Sequence, residues 1–102
     1  MASRLKLQRE LEEFLGNKNV YFQPPESAKL KYPCIVYKYG VGRTDYADDM
    51  PYHFNRPYEI TLITQDPDSP LVRELGLKYP TIRQINSFND NNRYHDIFRL
   101  YY

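Results

Sequence analysis

Apolar residues recur at Leu7, Leu11, Phe14 and Leu15, the i, i+4, i+7, i+8 spacing of one helix face, while Arg9, Glu12 and Glu13 fall on the other. Ser3 stands where an N-cap would, and Gly16-Asn17 supplies a stop, so the spacing predicts a first helix ending at Leu15. The pattern then changes to strands. Val20-Tyr21-Phe22 is a short β-prone run ended by Gln23-Pro24-Pro25, and Cys34 to Tyr39 reads as a central strand covered on both faces. Tyr58, Ile60 and Leu62 alternate with Glu59, Thr61 and Ile63, giving a further strand that Asp66-Pro67-Asp68-Ser69-Pro70 breaks. Ser69 followed by Pro70 opens a short second helix through Leu71, Val72 and Leu75, expected to end at Gly76. Thr81 to Phe88 and Tyr94 to Tyr102 flank Asn89-Asp90-Asn91-Asn92 and read as a β-hairpin, with Phe98, Leu100 and Tyr102 alternating with Ile97, Arg99 and Tyr101.

Between Gly40 and Pro57 the periodicity lapses among Gly40, Gly42, Asp45, Asp48, Asp49, Pro51, Asn55 and Pro57, so a long loop is expected there. Unstructured loops of that length are uncommon in compact domains and usually serve a function. The resulting expectation is an α/β chain of the α+β type. A small, mainly antiparallel sheet of about five strands is flanked by two helices, in the order α-β-β-loop-β-α-β-β. At 102 residues the chain has material for one core, hence one domain spanning 1–102.

Charge refines this picture. The net charge is +1, with balances of +3, −4 and +2 over residues 1–39, 40–70 and 71–102, so the middle of the chain is acidic between weakly basic flanks. Eleven Tyr and no Trp favour surfaces that are wet at one time and buried at another. No apolar run reaches the roughly 18 to 20 residues of a membrane span, and the first residues lack a signal peptide's apolar stretch, so a cytosolic site of synthesis is expected. The lone Cys34 has no partner for a disulfide and, in an apolar run, reads as a small buried hydrophobe.

Chemistry finds no constellation in the sequence. Asp45, Asp48, Asp49 and His53, and Asp90, His95 and Asp96, show no standard ligand spacing, so no metal is expected. Ser3, Ser27, Ser69 and Ser87 lack a nucleophile-elbow context, and Gly40-Val41-Gly42 lacks the rest of a dinucleotide motif, so neither catalysis nor a cofactor is expected. Aromatic and basic residues interleave at Tyr37-Lys38-Tyr39, Arg93-Tyr94 and Arg99-Leu100-Tyr101, the composition of a small single-stranded nucleic-acid-binding regulator, although similar alternation arises in any Tyr-rich sheet with one wet face.

Several phrases point elsewhere. Asn19-Val20-Tyr21-Phe22-Gln23-Pro24-Pro25-Glu26-Ser27, Lys31-Tyr32-Pro33-Cys34-Ile35-Val36-Tyr37, the Asp66-Pro67-Asp68-Ser69 turn and the closing aromatic hairpin together resemble tail terminator, or tail completion, proteins at the head-to-tail junction of long-tailed phages. The resemblance covers nearly the whole chain. It implies a structural virion subunit without enzymatic activity, assembled in the host cytoplasm into a ring, commonly a hexamer. Such a ring ends the tail tube, joins it to the head connector proteins and lets DNA pass through its lumen without specific binding. The same resemblance leaves head-completion and minor capsid roles as neighbours. On the charge and composition of the 40–57 segment, Arg43, Tyr46, Met50, Tyr52, Phe54 and Arg56 are candidate subunit-interface residues, and Asp45, Asp48 and Asp49 are candidate channel-facing residues.

Overall fold

Leu7, Leu11 and Leu15, one turn apart, form the buried stripe of helix α1 (Arg4–Leu15) in the computed structural model, which describes residues 4–40, 43–47 and 50–102, the side chains of 43–47 and 50–55 excepted. Phe14 packs partly buried beside them. Gly16 ends the helix with φ +80°, its amide donating to the Glu12 carbonyl at 2.9 Å, a left-handed stop that glycine reaches without a Cβ penalty. The Ser3 cap lies outside the described residues.

The strands are β1 (Val20–Phe22), β2 (Cys34–Tyr39), β3 (Arg43–Ala47), β4 (Met50–Asn55), β5 (Tyr58–Thr64), β6 (Ile82–Asp90) and β7 (Arg93–Leu100), with helix α2 (Leu71–Lys78) between β5 and β6. Five of them form one sheet in the order β1-β2-β5-β7-β6. Only β1 runs parallel to its neighbour, Val20 opposite Ile35; all other pairings are antiparallel. The fold is therefore α+β, with two helices against a five-stranded, mostly antiparallel sheet. Alternation decides which face they cover. Ile35 and Tyr37 of β2, Ile60 and Leu62 of β5, and Phe98 and Leu100 of β7 are buried with Leu7, Leu11 and Leu75 in one core. Both helices thus lie on the same face of the sheet.

The opposite face is only partly covered. Cys34 and Ile63 are buried at one end, whereas Lys38 and Arg99 are exposed and Val36, Thr61 and Ile97 half-buried. This corrects the expectation for β2. It is second from the edge rather than central, and Val36 faces away from α1 because only every other residue of a strand can meet the helix. The central strand is β5.

Two further boundaries differ. Helix α2 does not stop at Gly76 but continues to Lys78, since Gly76 is accommodated against Phe98, and Tyr79 ends the helix with extended backbone. The Ser69 hydroxyl still accepts the Leu71 amide at 3.3 Å, as a capping residue would. The closing hairpin turns on Asn91 and Asn92 alone, with φ of 52° and 60°, the pair of left-handed residues that a two-residue loop between twisted strands requires.

The largest difference concerns the 40–57 segment. It is not a structureless loop but contains β3 and β4, paired antiparallel as a separate two-stranded sheet from Arg43↔Asn55 to Ala47↔Met50. Pro51, taken in the sequence as a breaker, is opposite Tyr46 where the register shifts, and a bulge in a two-stranded ribbon is a position that tolerates a residue without an amide hydrogen. The ribbon leaves the main sheet between β2 and β5, where the Gly40 amide donates to the Pro57 carbonyl at 2.8 Å. A Cβ at Gly40 would lie 3.3 Å from Pro57 Cγ, so glycine permits this close approach. The extents of 50 × 25 × 23 Å and the radius of gyration of 14.9 Å describe an elongated subunit, beyond the roughly 13 Å of a compact domain this long.

Candidate assembly surfaces

At the root of the ribbon the sheet gathers aromatic rings. Tyr39 stacks on Tyr58 with centroids 5.2 Å apart and meets the edge of Phe22 at 5.3 Å, and Phe22 tilts against Tyr37 at 5.0 Å. Two arginines close the group. The Arg56 guanidinium lies 4.0 Å from the Tyr39 centroid and that of Arg4 4.4 Å from Phe22, distances at which the ring quadrupole attracts the cation. Arg56, a candidate interface residue, is thus exposed yet positioned by a ring of its own subunit.

The other candidates are placed by backbone only. Arg43, Asp45 and Tyr46 lie on β3, opposite Asn55, His53 and Pro51, and Met50, Tyr52 and Phe54 lie on β4. Their side chains, and Asp48 and Asp49 altogether, are outside the described residues. The expected channel-facing role of Asp45, Asp48 and Asp49 therefore has no geometry to bear on it.

A second surface went unread in the sequence. Strand β6 is the sheet's far edge, and from Arg83 to Asp90 every residue is exposed, including Ile85 and Phe88. Apolar residues at 82, 85 and 88 break the two-residue alternation, and the cause is the register shift between Gln84 and Asn86. That spacing was the available signal. Beside this edge, α2 and β6 border a groove of about 580 Å³ lined by Val72, Arg73, Gly76, Leu77, Gln84 and Phe98, among others.

A third cluster ties the termini together. The hydroxyls of Tyr79 and Tyr102 each donate to the Glu10 carboxylate at 2.7 Å, and the two rings meet edge to face at 5.8 Å. These bonds, that from Tyr102 first, hold the Glu10 carboxyl below its ordinary 4.5. Burial and the carboxylate push the Tyr102 hydroxyl up to about 12, and Tyr79 shifts in the same direction. The stability contributed by a depressed carboxylate is complete above 4.5 and lost as pH falls through its lower folded value; that of the raised phenols is complete below 10 and lost as pH rises beyond it. Glu10→Gln is therefore expected to flatten the acid side of a plot of Tm against pH. A variant whose Tm falls between about pH 6 and pH 3 as steeply as the parent's would show that this carboxylate carries none of the dependence.

The chemical candidates are dispersed. Asp96 is buried on the helix side, its Oδ1 accepting from Gln84 Nε2 and Ser87 Oγ at 2.9 Å each, whereas His95 lies on the other face, stacked on Phe88 at 4.6 Å. No three His, Cys, Asp or Glu side chains come together as metal ligands among the described residues. Cys34 is fully buried and its thiol is pushed up to about 11, burial outweighing the opposing pull of Arg93, which disfavours the reactive thiolate. No family model, no characterised protein and no solved structure matches the chain.

Proposed function

We propose that the protein is a structural subunit of the head-to-tail junction of a long-tailed phage, forming a ring, of six copies by the resemblance, that ends the tail tube and joins it to the head connector. The observation that carries this reading is that the long edge of β6 and the β3–β4 ribbon, a sheet of its own, have no further strand beside them among the described residues. A chain with two such surfaces is suited to repeated self-association. An elongated shape, a Tyr-rich ribbon root and the family-like phrases of the sequence agree with it. No helix among the described residues is long and apolar enough to cross a membrane.

Single-stranded nucleic-acid binding is the weaker reading. Tyr37 is fully buried beneath α1, Tyr39 is enclosed by Phe22, Tyr58 and Arg56, and Arg93 lies 4.4 Å over the Tyr32 ring. Of the interleaved aromatics, Tyr37 and Tyr39 are thus engaged within the subunit rather than offered as a stacking platform.

Sedimentation velocity and electron microscopy of the purified protein, alone and with isolated tail tubes, test the assignment. Closed rings seated on tube ends are expected. A protein that neither forms rings nor binds tubes, but binds single-stranded DNA with a steep salt dependence, would replace this reading with the other.

A further inference from the structure

Strand β6 presents nine residues of backbone with no strand on its outer side among the described residues. From Gln84 to Asn89 it carries no charge and no proline, two of the devices by which natural sheets guard such an edge; the bulge at Ile85 is its only visible irregularity. Leu77 is 72% exposed on the wall of the adjoining groove, and Ile85 and Phe88 are 41% and 45% exposed on the strand itself. An added strand would complete the ladder and lay alternate side chains over α2, the arrangement by which sheet edges bind extended segments.

The β3–β4 ribbon is the matching element. It is a sheet of two strands with no third strand beside it among the described residues, and such a unit is marginal in water without a third strand or a packed face. It does not pair with its own β6. It departs between β2 and β5, and β7 lies between β5 and β6. Charge agrees with a contact between copies. Arg83 is opposite Arg99 in the β6–β7 register, both exposed, an unfavourable pairing of like charges, and Arg73 lines the groove. The sequence of the ribbon segment holds Asp45, Asp48 and Asp49 against Arg43.

We propose that the β3–β4 ribbon of one copy docks along β6 of the next, extending its five-stranded sheet and covering the α2–β6 groove. Donor and acceptor are different surfaces, so the contact is heterologous and repeats head to tail into a ring or a filament. The net acidic sequence of the ribbon segment is complementary to Arg73 and Arg83 beside the neighbour's edge. The inference deepens the assembly reading and rests on it for the existence of self-association.

A complementary pair of full-length variants tests it. Tyr46→Ser/Tyr52→Ser/Phe54→Ser removes the large apolar side chains of the donor, and Leu77→Glu/Ile85→Glu places carboxylates on the acceptor at exposed positions. Each variant alone is expected to self-associate at least about tenfold more weakly than the parent in sedimentation velocity. Mixed in equal amounts they should form one-to-one dimers and nothing larger, because one intact donor meets one intact acceptor. As an independent measurement on milder variants, Tyr52→Cys mixed with Ile85→Cys should give disulfide-linked heterodimers under mild oxidation, Cys34 being buried and poorly ionised. Assembly of the donor variant by itself, or a mixture that stays monomeric and uncrosslinked, would overturn the contact. Rings formed by both single variants would remove this contact and leave the junction reading standing; the expected dimers, with no parent ring on tail tubes, would do the reverse.

Discussion

Leu11→Ala is expected to lower the free energy of unfolding by about 2 to 5 kcal/mol, measured by urea denaturation with the slope unchanged. Leu11 has no exposed surface and sits in the middle of the α1 stripe, between Leu7 and Leu15, in the same core as Ile35, Tyr37, Leu75 and Leu100. Truncation removes the transfer energy of three carbons and leaves a cavity that the surrounding residues close only in part. A loss of that size is a large share of the roughly 5 to 15 kcal/mol that holds a typical domain together. The control is Leu5→Ala on the same helix. Leu5 is 61% exposed, and its replacement is expected to stay within about 0.5 kcal/mol of the parent. If the two variants were equally stable, α1 would have to turn a different face to the sheet.

That stripe was legible because a helix has one period and a single buried face. The same holds for β5 and β7, where Tyr58, Ile60, Leu62, Phe98 and Leu100 all fall on the buried side as their alternation predicts. Strand β6 was harder to read, since the bulge at Ile85 shifts the alternation by one residue and leaves Ile85 and Phe88 exposed rather than in the core. Strands β3 and β4 were missed for a different reason. Met50, Tyr52 and Phe54 do alternate with Pro51, His53 and Asn55, but Pro51 and the acidic pair Asp48-Asp49 carry the composition of a turn and outweighed that short signal. The Glu10, Tyr79 and Tyr102 group joins residues 69 and 92 positions apart, and no local window contains such a pairing. The candidate interface at 40–57 was chosen by composition. The acceptor edge, which depends on strand order, became visible only with the topology.

Tyr37→Ala is expected to cost about 3 to 5 kcal/mol, the range for deleting a buried aromatic ring. Tyr37 is fully buried and joins three parts of the subunit. Its ring touches Phe22 of β1 and Tyr58 of β5, with centroids 5.0 and 6.0 Å away. Its hydroxyl donates to Gln8 Oε1 at 2.5 Å and accepts from Arg4 at 3.3 Å, while Gln8 Nε2 donates to the Val20 carbonyl at 2.9 Å. One side chain therefore fixes α1, the short parallel strand β1 and the root of the ribbon. Tyr37→Phe separates the two contributions, because it keeps the ring and removes only the hydroxyl. Gln8 and Arg4 are only half-buried and water can replace the lost partner, so about 1 kcal/mol is expected from this change. Amide exchange adds a spatial readout. In Tyr37→Ala the β1–β2 pairing of Val20 with Ile35 and Tyr21 with Val36 should lose protection more than the β6–β7 pairing, which lies across the sheet from the deleted ring. A Tyr37→Phe variant as destabilised as Tyr37→Ala would assign the effect to the hydrogen bonds instead of the packing, and even loss of protection across the sheet would show that the aromatic root is no separate unit of stability.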